Sequence, residues 1–209
     1  MTETNEIIVN GKAKKILFKS MELIMNNIQA NIVHLDKNFK HTQKFIDLLH
    51  DGLINRRRFF LLASGRSAFI LQCFATRLVH LGAEVHIVTN LASMPALSKN
   101  DLLIVLSGSG TTSIVVSLLN NYVNTVKPYG IVTITSHPET VIGRVGDITI
   151  KLKGRSKRDK VSGDTAALTP EGTMFEQAAF CYLDAIIAEL AIKMGKTDED
   201  LLKKHSQGT

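Results

Sequence analysis

Five short runs of branched and aromatic residues recur through the middle of the chain: Arg58 to Ala63 (RFFLLA), Glu84 to Val88, Leu102 to Leu106, Gly130 to Thr135 and Asp147 to Leu152. Each has the length of a strand, and their apolar content is that of strands covered on both faces. Between them lie helical patterns, from about Ser67 to Leu81 and from Thr111 to Val126, and a weak helical turn near Thr140 to Arg144. Strands alternating with helices at this spacing join by right-handed crossovers into parallel pairs. The alternation therefore predicts a doubly wound α/β fold, with a mainly parallel five-stranded sheet and flanking helices.

The flanks read differently. Ile16, Leu17, Met21, Ile24, Ile28 and Ile32 fall at helical spacing, and Phe45, Ile46, Leu48 and Leu49 mark a second helix. After the last strand a long apolar helix is expected from Thr173 to Met194, then a short polar one ending near His205. No linker long enough to separate two domains is present in the 209 residues, so one domain is expected: a helical segment 1–55, an α/β core 56–152, and an active-site loop with closing helices over 153–209. The helices are expected to clasp the sheet or to pack between subunits.

Several function classes are disfavoured. No apolar run approaches the roughly 18 residues that span a bilayer, and the first residues lack a basic stretch followed by an apolar one, so a cytoplasmic location away from membranes is expected. Cys73 and Cys181 form no C-x-x-C pair and read as small core residues. The histidines show no i, i+4 pair beside a Glu, so no metal is expected. The net charge of +6 gathers partly in Arg56 to Arg58 and in Lys151 to Lys160 (KLKGRSKRDK). Without a nucleic-acid-binding motif, those clusters fit attraction of a phosphorylated small molecule or plain solvated loops, and no nucleic-acid partner is expected.

Two loops carry chemistry. Ser107-Gly108-Ser109-Gly110-Thr111-Thr112 follows an apolar strand and opens a helix. In an open parallel sheet this is where ligands bind. Its glycines permit close backbone approach, the helix start offers unpaired amides, and its hydroxyls suit phosphate oxygens. A single capping hydroxyl would explain only one of those residues. The run lacks the Lys of a P-loop and the third glycine of a dinucleotide motif, so a monophosphate fits better than a nucleotide. Ser64-Gly65-Arg66-Ser67 repeats the design after the first strand of the alternation and adds a guanidinium.

Together these loops resemble the sugar isomerase, or SIS, domain family, which has a flavodoxin-like architecture. ATRLVHLG (75–82), ITSHP (134–138), KGRSK (153–157), LTPEGTMFEQ (168–177) and KKH (203–205) extend the likeness over residues 13 to 205. They make the chain similar, within that family, to the 6-phospho-3-hexuloisomerases. The likeness implies interconversion of D-arabino-hex-3-ulose 6-phosphate and fructose 6-phosphate in the ribulose monophosphate pathway, by a homotetramer with no cofactor. Two positions depart from the family's usual pattern: Thr111 stands where a charged or polar residue, often Glu, is usual, and His137 where Asn is common.

Moving the carbonyl from C3 to C2 requires a base for the C2 proton, a cis-enediol, and proton return at C3. The resemblance implies Glu176 as that base and His205, within or between subunits, as a proton shuttle. On the residues alone, Thr173-Met174-Phe175-Glu176 is equally a capping box, and His205 equally a helix end. His80 either faces the site or finishes its helix, and His34, His41 and His50 read as helical surface. An arabinose 5-phosphate isomerase, or a non-catalytic phosphosugar-binding module, would share both loops; the GRSK and GTMFEQ stretches argue against the first.

Overall fold

A computed structural model describes residues 6–9, 12–88, 94–156, 159 and 167–202. Five strands form one all-parallel sheet: β3 (Arg58–Leu62), β4 (Glu84–Ile87), β5 (Leu102–Leu106), β6 (Gly130–Thr135) and β7 (Ile148–Lys151), in the order β4-β3-β5-β6-β7. The helices are α1 (Ile16–Lys37), α2 (Phe39–Ile54), α3 (Arg66–His80), α4 (Ser113–Thr125), α5 (Val141–Val145), α6 (Thr173–Lys193) and α7 (Asp198–Leu202). Every expected strand is present within a residue of its expected bounds.

Burial shows why β5, and β3 beyond Arg58, carry no polar residue. Phe59, Leu61, Leu102, Ile104, Leu106, Val132 and Ile134 face α2, α3 and α6, whereas Phe60, Leu62, Leu103, Val105 and Ile131 face α4 and α5. Successive residues thus point to opposite faces, and both faces are covered. The chain leaves β3 for β4 on one side and returns to β5 on the other. That reversal is a switch point, and the carboxyl ends of β3 and β5 open there into Ser64–Ser67 and Ser107–Thr112.

Two expectations are corrected: that the cysteines are core residues and that the chain opens as helix. Cys73 and Cys181 are exposed, because on α3 the buried stripe is Ala68, Leu71, Phe74, Ala75 and Leu78, and on α6 it passes through Ala178, Ala179, Tyr182 and Leu183; each cysteine sits off its stripe. The apolar stripe of α1 is largely exposed, with Leu17 at 63% and Met25 at 66%. A hairpin, β1 (Glu6–Val9) paired antiparallel with β2 (Lys12–Lys15), precedes α1 and was absent from the sequence expectation. The sequence between the two strands contains Asn-Gly, a dipeptide that favours two-residue hairpin connections.

Candidate active site

The two hydroxyl-rich loops meet at a cavity of about 340 Å³ at the switch point. Ser64, Gly65, Arg66 and Ser67 form one wall, Ser107, Gly108, Ser109 and Thr112 a second, and Glu171, Gly172, Phe175 and Glu176 a third; Arg155 and Ser156 close the rim. Gly110 and Thr111 complete the turn behind the second wall without lining the cavity. Gly110 takes φ +65°, and a Cβ there would run into Thr140, so only glycine fits. A Cβ on Gly108 would lie 2.8 Å from the Phe175 ring, which lets α6 press against the loop.

The hydroxyls of the second wall face each other. Ser107 Oγ and Thr112 Oγ1 are 3.1 Å apart, Ser109 Oγ lies 3.4 Å from Thr112 Oγ1, and the Thr111 amide donates to Ser109 Oγ at 3.3 Å. Thr112 is the N-cap residue of α4, yet its side chain makes no capping hydrogen bond. Its hydroxyl is turned toward the serines, which gathers three hydroxyls on one wall of the cavity.

Glu176 resolves in the same way. The N-cap of α6 is Gly172, with φ +86°, so Thr173 is already inside the helix and no capping box forms. The Glu176 carboxylate, 12% exposed, pairs with Arg66 instead, Oε2 to Nη2 at 2.7 Å. An acidic group in the first turn of a helix is also favoured by the helix dipole. The pair ties the first wall to the third, with the largely buried carboxylate among the residues that line the cavity.

The basic clusters separate. Arg57 pairs with Asp51 at 3.2 Å and stacks on Tyr129, and Arg58 forms a two-point pair with Asp101 at 2.9 and 2.7 Å. These residues stand at the amino end of β3, opposite the cavity, and their role is structural. Arg155, from the second cluster, lies on the cavity rim. Its charge run alone does not single out this residue, because only the fold decides which cation of a run faces inward. His80 is buried at the end of α3, at the amino end of the sheet, and finishes its helix. His205 lies outside the described residues. Among the described residues no three His, Cys, Asp or Glu side chains gather as metal ligands would, and no helix is long and apolar enough to cross a membrane.

A cavity at the switch point of a doubly wound sheet, walled by paired Ser/Gly/Thr loops with a carboxylate at the start of the closing helix, defines a class. Residues 52–180 match the SIS domain, and the chain belongs to that family. Among its relatives is the 3-hexulose-6-phosphate isomerase of Bacillus subtilis, 34% identical over 161 residues, covering 77% of this chain and 84% of that protein. The 3-hexulose-6-phosphate isomerase of Methanocaldococcus jannaschii is 31% identical over 180 residues, covering 85% and 93%. A crystal structure of a Methanococcus jannaschii protein, described as implying 3-hexulose-6-phosphate isomerase function, superposes with a TM-score of 0.73 at 30% identity, covering 91% of this chain and 99% of that one.

Proposed function

We propose that the chain is a phosphosugar isomerase that interconverts D-arabino-hex-3-ulose 6-phosphate and D-fructose 6-phosphate. The observation that carries this reading is the Glu176 carboxylate held by Arg66 at 2.7 Å across a cavity from a hydroxyl cradle. In the forward direction the Ser107–Thr112 loop receives the phosphate, with Ser64 and Ser67 on the neighbouring wall. Glu176 removes the C2 proton, the electron pair forms the C2–C3 double bond, and O3 takes a proton to give the cis-enediol. The protonated Glu176 returns a proton to C3, while loss of the O2 proton balances the one taken up at O3 and leaves the ketone at C2. Electrons and atoms balance within the sugar, so the step calls for no redox cofactor. Arg66 orients the carboxylate and keeps positive charge beside it and the developing enediolate.

The wider assignment follows the relatives' names and the family resemblance. It comprises a role in the ribulose monophosphate pathway, a cytoplasmic location, a homotetrameric assembly and a proton-shuttling His205. The exposed apolar residues Leu17, Met25, Phe69 and Ile192 support assembly, since a lone subunit would leave them in water. The test is direct: purified protein incubated with hexulose 6-phosphate, without metal or nicotinamide, is expected to form fructose 6-phosphate, and absence of product would overturn the reading.

A further inference from the structure

Residues Lys153 to Ser156 cross the rim of the cavity with their backbone fixed at both ends. At one end the Lys153 amide donates to Asn31 Oδ1 at 2.7 Å, and Asn31 Nδ2 donates back to the Lys153 carbonyl at 2.8 Å. Asn27 Nδ2, one turn earlier on α1, reaches the Met174 carbonyl at 2.9 Å. Asn31 is only 4% exposed, so a buried amide of α1 is committed to this segment. Gly154 lies so close to the first turn of α6 that a Cβ would collide with the Phe175 backbone.

At the other end stands His137, just beyond β6. Its Nε2 lies 2.9 Å from Ser156 Oγ and 3.2 Å from Asp159 Oδ2, and its Nδ1 lies 3.3 Å from Glu139 Oε1. Asp159 Oδ2 also accepts from the Ser156 amide at 2.7 Å and the Ser156 hydroxyl at 3.0 Å. Burial pushes the Asp159 carboxyl up, yet these donors and His137 hold it below the usual carboxylate range. One carboxylate thus gathers the Ser156 backbone, the Ser156 side chain and the imidazole.

Arg155 is the residue between the two anchors, and its side chain lines the cavity alongside Arg66 and Glu176. Its Nη1 donates to the Thr169 carbonyl at 3.5 Å, near the limit of a hydrogen bond, on the segment leading into α6. A guanidinium placed there by a backbone tied at both ends lines the cavity in which the phosphosugar of the proposed reaction would bind. We propose that Arg155 is a substrate-binding residue that donates to the anionic phosphosugar, and that His137 is the positioning residue that holds it there through Ser156 and Asp159. The inference rests on the proposed function for the identity of the ligand. It gives a role to the imidazole at a position where the family commonly has Asn.

The test is a calorimetric double-mutant cycle on the full chain, with fructose 6-phosphate as ligand and wild-type turnover measured alongside. Arg155→Ala is expected to weaken binding at least about tenfold, the loss of a charge-assisted hydrogen bond. His137→Ala should weaken it several-fold, and His137→Gln, whose Nε2 amide can still donate to Asp159, should recover most of the loss. The double variant should bind no worse than Arg155→Ala alone, because the positioning residue then has nothing to position. Should Arg155→Ala fail to fold, Arg155→Gln takes its place in the cycle.

Binding within twofold of wild type in the arginine variant would overturn the inference, as would additive losses in the double variant. Wild-type binding without turnover would overturn the proposed function and leave Arg155 standing. No wild-type binding would overturn both.

Discussion

Arg66 at the start of α3 and Glu176 in the first turn of α6 form an ion pair of 2.7 Å across the mouth of the cavity, and the two residues are 110 positions apart in sequence. The pair removes Glu176 from helix capping and places it beside the space that a substrate would fill. Glu176→Gln keeps the shape and one acceptor but cannot take a proton at neutral pH. Turnover is expected to fall at least about 100-fold, while the melting midpoint moves little because Arg66 is 59% exposed and stays hydrated. Retained turnover with lost stability would assign Glu176 a structural role.

The three hydroxyls of the second wall should account for affinity rather than chemistry. Ser109→Ala and Thr112→Val each remove a hydroxyl that can donate to a phosphate, an interaction of about 1.5 to 3 kcal/mol. Calorimetry should show fructose 6-phosphate affinity lowered roughly 10-fold to 150-fold, with little change in stability, since Thr112 caps nothing. Unaltered affinity in both variants would remove the cradle.

Assembly is expected through the apolar faces that the fold leaves uncovered. Leu17 and Met25 on α1 are 63% and 66% exposed, and Ile192 on α6 is 77% exposed. Sedimentation at micromolar concentration should show an oligomer, and Leu17→Lys with Met25→Lys should shift it toward smaller species. A wild-type monomer under those conditions would contradict this expectation.

The Arg58–Asp101 pair gives a pH-dependent prediction remote from the cavity. Burial pushes the Asp101 carboxyl up, but the two-point bond from Arg58 and the Ser98 amide hold it below the usual carboxylate range. A carboxyl whose folded pKa lies below its unfolded one stabilises the fold above the unfolded value, and that contribution is lost as pH falls through the folded one. Asp101→Ala should therefore cost on the order of 1 to 3 kcal/mol at pH 7, the cost of leaving a buried hydrogen-bonding partner unmatched, with the gap to wild type narrowing as the carboxyl protonates in acid. A gap that stays constant on acidification would show that the charge is not what the mutation removes.

The sheet was legible in the sequence because both its faces are buried: runs such as LLIVL at Leu102 to Leu106 have no solvent side to dilute their apolar character. The phosphate-type loops were legible for a related reason, since Gly110 needs a positive φ and little else explains a Ser-Gly-Ser-Gly run at a strand end. Local signals failed where the outcome depends on distant partners. Whether Glu176 caps a helix or meets Arg66 is decided by the placement of α3, and Thr173-Met174-Phe175-Glu176 satisfies both patterns. Arg155 was lost within a run of like charges because His137, Asn31 and the start of α6 select it from outside. The helical spacing on α1 was read correctly as amphipathic, but spacing does not say whether the apolar face meets its own core.

The proposed reaction moves a proton between C2 and C3 of a phosphorylated ketose within this cavity. In deuterated water, NMR of fructose 6-phosphate with the wild-type protein follows proton abstraction directly, without waiting for product release. Enzyme-dependent loss of the C3 proton signal is expected with C1 untouched, at a rate at least about 100-fold lower in Glu176→Gln. Exchange at C1 instead, no exchange at all, or wild-type C3 exchange in the Gln variant would contradict it.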